Sequence, residues 1–425
     1  MALKDHYENP VTTTSTAARD AYDRGVRLFL SGQYGPIAEF DACVAADPGF
    51  ALGHAGLARA RMMGGDMAGA KESIAMAEAL GSSSRREAQH IAAMAALLAG
   101  KAVEARRLVR AHVQEFPRDA LLAQLCTNIF GLIGFSGKVG READLFAYTS
   151  TLFPHYGDDW WMMSMHALSL CEVGEADESL TLMEQALAIN PENAHGVHFK
   201  AHAQYEIGET AAGRAYLDTW LADYDNRGLL HCHLSWHSAL WALHDGEAET
   251  MWRAVDSGVA PGSAHGLPLN VVTDAAAIYH RAELAGIEVD PARWKTLSDY
   301  AASFFPNPGQ SFADMHVALA HAMAGEGERL SVLAETDQGF AGDLIAPVAR
   351  TWRAVARGDW AGALAELTPV LACAQRIGGS RAQRDLLELT YANILLKLGR
   401  ADEARRSLAT RRPILADAPP VEGLT

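Results

Sequence analysis

The sequence is poor in cysteine and in basic residues, and both shortages limit what the protein can do. It has five cysteines, far apart and with no C-x-x-C pair: Cys43, Cys126, Cys171, Cys232 and Cys373. This pattern argues against a disulfide framework or a thiolate zinc site and favours a reducing compartment. Lys and Arg total 36 against 52 Asp and Glu, so the net charge is −16. Such a surface repels a nucleic-acid backbone or an anionic membrane.

Long apolar segments and strand patterns are also missing. No stretch reaches the roughly 18 apolar residues that suggest a membrane-spanning helix, and the N-terminus has no apolar region of the kind found in secretory signals. We therefore expect a cytoplasmic protein with neither nucleic-acid nor membrane partners. Ala, Leu, Glu and Arg dominate instead, and apolar residues recur every three or four positions, which predicts helices.

Glycines recur at the period of a helical repeat. Two series are spaced by 33 to 38 residues: Gly32, Gly65 and Gly100, then Gly174, Gly208 and Gly246. Each glycine ends one helical pattern, where a residue with positive φ is favoured, and a second pattern follows. The interval matches the tetratricopeptide period. The sequence therefore predicts an all-α fold, a tetratricopeptide-like α-solenoid in which roughly nine or ten helix pairs form a right-handed superhelix.

The predicted array is a single continuous domain over residues 16–412. Residues 1–15 and 413–425 are polar or rich in proline, so we expect them to be flexible tails. Four glycines between residues 131 and 140 predict a bent connection inside the array. In each pair the first helix, the A-helix, is expected to line a concave surface. The array is expected to be a monomer or a weak homodimer.

Histidine is abundant, and seven of the 17 histidines lie between residues 195 and 244. His198 and His202 are spaced i, i+4, which places both rings on one helix face. His233 and His237 repeat this spacing on the next A-helix. Four imidazoles could hold a divalent transition metal. They could equally serve as acid–base groups, because histidine titrates near neutral pH, and single histidines on helices often only pack.

Other polar residues are predicted on the same A-helix surface. His316 lies on a later A-helix and is a further catalytic candidate. Glu206, Asp274 and Asp314 could orient the histidines through hydrogen bonds. Asp274 is also a catalytic candidate, and Asp314 is also a candidate ligand-binding residue. Trp236 could stack on a ligand, although a tryptophan on an A-helix more often fills the core.

A run near the C-terminus has two interpretations. Ser380 follows two glycines and is expected to be the N-cap of the next helix. Gln383, Arg384 and Asp385 could simply begin that helix. Alternatively they could point into the groove and bind the ligand, with Arg384 presenting its planar fork to a carboxylate.

Several short motifs, in a fixed order, are shared with a known family. The most specific are Val197-His198 with Ala201-His202, Cys232-His233 with Trp236-His237, Val272-Thr273-Asp274, Phe312 through Asp314 to His316, and Ala382-Gln383-Arg384-Asp385. From residue 12 to residue 410 the chain resembles the tetratricopeptide repeat protein 38 family. The resemblance implies an α-helical repeat fold and no particular activity. The family pattern has a glutamate where this chain has Tyr205, and the nearest acid here is Glu206.

Two functions follow from these patterns. The first is a repeat protein that binds a small polar ligand or a protein partner in a histidine-rich concave groove. The second is an enzyme that uses the His and Asp residues as acid–base groups or metal ligands. No H-E-x-x-H, G-x-S-x-G or P-loop motif is present. The A-helices between residues 158 and 246 carry few Lys, Arg or Asn residues, which favours a small ligand over a peptide tail.

Overall fold

The chain is all helical in a computed structural model that describes residues 2–417 and 420–424. Within these residues there are 22 α-helices and no strand beyond an isolated bridge between Lys4 and Pro10. The helices are α1 (Thr16–Leu30), α2 (Pro36–Ala46), α3 (Ala51–Met63), α4 (Met67–Leu80), α5 (Arg85–Leu98), α6 (Ala102–Glu115), α7 (Ala120–Ala123), α8 (Arg141–Leu152), α9 (Trp160–Val173), α10 (Ala176–Ile189), α11 (Ala194–Ile207), α12 (Thr210–Leu221), α13 (His231–His244), α14 (Ala248–Ala254), α15 (Pro268–Leu284), α16 (Pro291–Phe304), α17 (Ser311–Met323), α18 (Gly327–Ala334), α19 (Gly342–Ala356), α20 (Trp360–Leu371), α21 (Arg381–Lys397) and α22 (Ala401–Arg411). Among them, none combines the length and the apolar character needed to cross a membrane.

Consecutive helices form pairs, as the glycine period predicts. The pairs α1 with α2, α3 with α4, α9 with α10 and α19 with α20 each pack together. All six periodic glycines have a positive φ, between 70° and 104°. At Gly174, for example, φ is 104° and its N–H donates to carbonyls of the last turn of α9. A residue with a side chain adopts this conformation at a cost, so glycine ends the A-helix. The predicted all-α, tetratricopeptide-like α-solenoid fold is confirmed.

Small residues allow the paired helices to approach closely. Gly56 of α3 faces Phe40 of α2, and a Cβ atom at Gly56 would lie 2.4 Å from the Phe40 ring. Phe40 is fully buried, as are Ala58 and Ala70 in the next pair contact. The helix pairs therefore depend on residues without large side chains at their closest points.

The described chain divides into two compact units, and each buries its own apolar side chains. Unit 1 takes in the described residues up to Gly134, then Glu142–Ala203 and Arg227–Leu230. Unit 2 takes in Phe135–Arg141, Gln204–Asn226 and the described residues from His231 onward. The single continuous array over 16–412 stays a prediction.

Both segments predicted as flexible tails make contacts in the structure. In unit 1, the N–H and hydroxyl of Thr12 donate to the carboxylate of Glu87 at 2.8 and 2.6 Å. In unit 2, the N–H of Glu422 donates to the carbonyl of Leu284 at 2.8 Å. Residues 1, 418, 419 and 425 of the predicted tails lie outside the described residues.

The predicted connection after residue 126 is irregular. Between the end of α7 at Ala123 and the start of α8 at Arg141, the only helical turn among the described residues is a short 3-10 helix at Gln124–Cys126. Gly137 in this connection has a φ of 69°, and a Cβ atom there would lie 1.8 Å from the carbonyl oxygen of Phe340. Only glycine fits so close to another backbone.

Replacing Gly56 by alanine should destabilise unit 1, although alanine is the better helix former. The added Cβ would collide with the buried Phe40 ring, so we expect the free energy of unfolding to fall by about 1–3 kcal/mol. Gly327→Ala in α18 is the matched control, because no atom lies within 4 Å of its added Cβ. Urea denaturation followed by circular dichroism measures both variants. Equal midpoints for the two would contradict this packing.

Candidate functional site

The polar residues that the sequence analysis singles out in unit 2 lie on four A-helices. Helix α13 packs against α15, and α15 packs against α17 and α21. Buried polar and aromatic side chains from these helices form a connected set, the unit 2 polar cluster: His233, Trp236, His237, Asp274, Arg281, His316 and Gln383.

The centre of this cluster is a histidine–aspartate pair. His233 Nδ1 lies 2.8 Å from Asp274 Oδ2, and the two residues are only 2% and 1% exposed. A carboxylate accepts hydrogen bonds, so His233 Nδ1 is the donor in this contact, and in the neutral ring the lone pair is then on Nε2. A carboxylate that holds Nδ1–H in this way is the usual device for orienting a histidine that binds a metal or moves a proton.

Aromatic contacts hold the α13 side chains in place. The His233 ring stacks on Trp236 at a centroid distance of 5.2 Å and an interplanar angle of 9°. The His237 ring meets both rings edge to face, with centroids 4.9 Å away in each case. Trp236 is fully buried, so it is part of the core, as is usual for a tryptophan on an A-helix. Its indole Nε1–H, however, has no hydrogen-bond partner in the described part of the chain.

Arg281, which the sequence analysis missed, lies beside Trp236. It is fully buried, and its Cζ is 5.8 Å from the centroid of the Trp236 ring. Nη2 donates to the carbonyl of Ala382, whereas Nε and Nη1 have no partner among the described residues. Arg281 follows Asp274 by seven residues, two helical turns, so it lies on the same face of α15. That spacing was the available signal.

His316 belongs to the same surroundings, and Asp314 points to a different partner. His316 Nδ1–H donates to the carbonyl of Phe312 at 2.8 Å, which leaves the lone pair on Nε2. Burial, with a smaller contribution from the positive charge of Arg281, lowers the pKa of His316 to about 4, so the ring is neutral at pH 7. Asp314 accepts the N–H of Gly309 at 2.9 Å, and burial raises its pKa to about 6. Its contact is thus with the loop before α17.

The Gln-Arg-Asp run begins α21 with a capping box. Ser380 Oγ accepts the N–H of Gln383, and the Gln383 side-chain oxygen accepts the N–H of Ser380 at 2.9 Å. The expected N-cap role of Ser380 is confirmed. The Gln383 Nε2 group has no partner within the described residues. Arg384 donates to the carbonyl of Gly379 at 2.6 Å. Ligand binding by Gln383 and Arg384 stays a prediction.

Asp385 takes part in a buried ion-pair network. Arg412 Nε and Nη2 donate to its two oxygens at 2.6 and 2.9 Å, and the Tyr205 hydroxyl donates at 2.9 Å. Arg412 also contacts both oxygens of Glu206, at 2.8 and 2.9 Å. Burial raises the pKa of Asp385 against the opposing charge of Arg412. Asp385 is thus engaged within the protein, and its predicted role as a ligand-binding residue stays a prediction.

The other predicted histidine pair lies in unit 1, on α11. His198 Nε2 and His202 Nε2 are 2.9 Å apart, and both rings are buried. A hydrogen bond between two ring nitrogens needs one N–H and one lone pair, so at this separation the pair shares one hydrogen. Replacing that hydrogen by a metal ion would leave two imidazole nitrogens as ligands.

Unit 1 also contains a polar cluster that the sequence analysis did not identify. Asp119 accepts hydrogen bonds from Arg86 at 2.9 Å, His90 at 3.1 Å and His112 at 3.2 Å. Burial opposes ionisation of Asp119, but the charges of His90 and Arg86 hold its pKa well below its usual range. Arg86 also lies 3.5 Å from Asp5. The i, i+4 spacing of Arg86 and His90 was the only local signal.

Comparison with known proteins does not assign the chain to a family. No family model matches the chain. A structure of the human IFIT1 dimer with m7Gppp-AAAA is 14% identical, and the match covers 97% of this chain and 94% of that chain at a TM-score of 0.46. Yeast Tom70 is 12% identical, with 94% and 93% covered and a TM-score of 0.35. The TPR domain of P58(IPK) is 11% identical, with 93% and 89% covered and a TM-score of 0.24. The fold class therefore rests on the helices themselves, and the resemblance to the tetratricopeptide repeat protein 38 family stays a prediction.

Arg412→Met should destabilise unit 2 strongly. It would leave the buried carboxylate of Asp385 without its counter-charge, which costs about 3–5 kcal/mol of unfolding free energy. Arg411→Met is the matched control, because the neighbouring Arg411 forms a more exposed pair with Glu388 worth about 1 kcal/mol or less. Differential scanning calorimetry compares the two. A similar fall in Tm for both variants would show that the buried ion pair contributes no more to stability than the exposed one.

Acid should destabilise the protein partly through His316. Its folded-state pKa is about 4 against an ordinary histidine pKa of 6.5, so the unfolded state binds more protons between these values and stability rises with pH across that window. His316→Gln should reduce this rise by up to about 3 kcal/mol. His265→Gln, at an exposed position in unit 2, controls for the change of residue type. Urea unfolding at pH 4, 5 and 6.5 provides the measurement, and an unchanged slope in His316→Gln would refute the assignment.

Proposed function

We propose that this tetratricopeptide-like repeat protein binds a small polar ligand at the unit 2 polar cluster. The observation that carries the proposal is the buried His233–Asp274 pair beside N–H groups that have no partner in the described chain. A buried polar atom without a hydrogen bond costs about 1–3 kcal/mol. Several such atoms together are better explained by a molecule that completes their hydrogen bonds than by packing alone.

The cluster offers both hydrogen-bond donors and acceptors. Trp236 Nε1 and Gln383 Nε2 are donors, and the Nε2 atoms of His233 and His316 carry lone pairs. These groups come from helices rather than loops, so their positions are set by the packing of A-helices. A small molecule with hydroxyl, amine or carboxylate groups matches such a mixture better than an apolar ligand does.

An enzyme is the second candidate, and the hydrogen bond between His233 and Asp274 favours it. Because Asp274 holds Nδ1–H, His233 Nε2 is the atom that would accept a proton from a bound substrate. The carboxylate would then stabilise the imidazolium that forms. This step requires only the residues of the cluster, and its reaction class depends on the ligand.

A bound transition metal is a further part of the proposal. The ring nitrogens within the His198–His202 pair, and likewise within the His233–His237 pair, lie less than 4.8 Å apart. Two imidazoles at i, i+4 on one helix suit zinc, copper, iron or nickel. That all four histidines hold one ion stays a prediction.

Ligand binding can be tested with a library of small polar metabolites. A ligand should raise the Tm of the wild type by about 2 °C or more at saturating concentration. The same compound should not raise the Tm of His233→Gln, because that variant loses the oriented Nε2 atom. His265→Gln, at an exposed histidine, should respond like the wild type. If no compound distinguishes the wild type from His233→Gln, the site is a packed core and not a binding site.

Metal binding can be tested by loading the purified protein with Zn²⁺ and dialysing it. A shared site predicts about one retained ion per chain, and the double variant His202→Ala/His237→Ala should retain none while keeping its helical circular dichroism. Two ions per chain would indicate that each pair binds separately. A wild type that retains no metal, with a double variant that unfolds, would show that the histidines are structural.

A further inference from the structure

Arg281 differs from three other buried arginines, Arg59, Arg86 and Arg412, in what surrounds its charge. Arg86 lies 2.9 Å from Asp119, and Arg412 lies 2.6 Å from Asp385. Arg59 has no carboxylate, but its Nε and Nη2 both donate to the side-chain oxygen of Gln124. Arg281 is 0% exposed, and no carboxylate in the described chain forms an ion pair with it.

None of the described neighbours of Arg281 forms an ion pair with it. Trp236 presents its ring, and the carbonyl of Ala382 accepts one N–H. His316 is a neutral ring near this charge, and the carboxylate of Asp385, whose pKa burial raises and the charge of Arg281 helps to lower, forms its ion pair with Arg412. A guanidinium does not lose its proton in proteins, so a fully buried one without a counter-charge is costly.

Four hydrogen-bond donor groups at or near Arg281 lack partners among the described residues. They are Nε–H and Nη1–H of Arg281 itself, Nε1–H of Trp236 and the Nε2 group of Gln383, which directly follows Ala382. Unpartnered donors beside a positive charge match the oxygens of a carboxylate or phosphate, which only accept. A neutral ligand could accept these hydrogen bonds but would leave the charge of Arg281 uncompensated. A cationic ligand would be repelled by that charge.

We infer that Arg281 anchors an anionic oxygen group, a carboxylate or a phosphate, on a small ligand of unit 2. This inference rests on the proposed function, since it names the chemical class of the ligand of that cluster. The ligand is small because the guanidinium is completely buried, and because a net charge of −16 repels large polyanions from the surface. Trp236 and Gln383 complete the anion site, and His233 faces the remainder of the ligand.

The first measurement needs no ligand. An unpartnered buried charge should destabilise the empty protein, so Arg281→Met, which keeps the bulk and removes the charge, should unfold at the same temperature as the wild type or higher. Arg412→Met, which breaks an ion pair, should unfold at a clearly lower temperature. A fall in Tm of Arg281→Met as large as that of Arg412→Met, or a failure to fold, would show that Arg281 is held by the protein alone and would overturn the inference.

The second measurement uses inorganic phosphate and acetate as probes, each against sodium chloride at equal ionic strength. At least one of them should raise the Tm of the wild type and of Arg59→Met, the buried control in unit 1, and should not raise that of Arg281→Met. Arg281→Lys keeps the charge but loses the planar fork, so the apparent Kd of the probe should increase about tenfold or more. A response to phosphate alone assigns a phosphate ligand, and a response to acetate alone assigns a carboxylate.

The outcomes separate this inference from the function on which it rests. If neutral compounds stabilise the wild type through His233 while phosphate and acetate have no effect at tens of millimolar, the ligand site stands and the anion site is wrong. If Arg281→Met responds to the anions as the wild type does, the anions bind elsewhere and the inference is also wrong.

Discussion

Helix α15 lies against three other A-helices, α13, α17 and α21, and the chemistry of unit 2 depends on this enclosure. Nearly the whole length of α15 is buried, polar residues included. Bulk water cannot reach the polar atoms of such a helix, so each of them needs a hydrogen-bond partner in the protein or in a bound molecule. Asp274 has His233 as its partner, whereas Arg281 keeps two N–H positions without one in the described chain.

Other buried clusters meet the same constraint by pairing their charges. In unit 1 the carboxylate of Asp119 receives three side chains that carry or can carry a positive charge. In unit 2 Arg412 bridges Asp385 and Glu206. Each of these clusters contains an arginine in an ion pair with a carboxylate, although Arg86 Nε and His90 Nε2 have no partner among the described residues. Arg281 forms no ion pair with a described carboxylate, and this contrast within one chain is the basis of the inferred anion site.

The two histidine pairs show how one local pattern takes two forms. Both have the i, i+4 spacing, which brings the rings of each pair close together. His198 and His202 are hydrogen-bonded to each other at 2.9 Å. In the second pair His233 is bonded to Asp274 and stacked on Trp236. The helix sets the distance between the rings, and the neighbouring helix sets where the proton lies.

The local features of this protein follow from its sequence alone. Glycines at the repeat period mark the ends of A-helices, Ser380 begins α21, and the histidine spacing places each pair on one helix face, because all of these depend on residues within a few positions of one another. The partners of the site residues were decided only by the tertiary structure. His233 and Asp274 are 41 residues apart, and Arg412 and Glu206 are 206 apart. No local period encodes which of many acids or bases lies opposite a given residue once helices pack, and the isolation of Arg281 is likewise visible only when every neighbour is known.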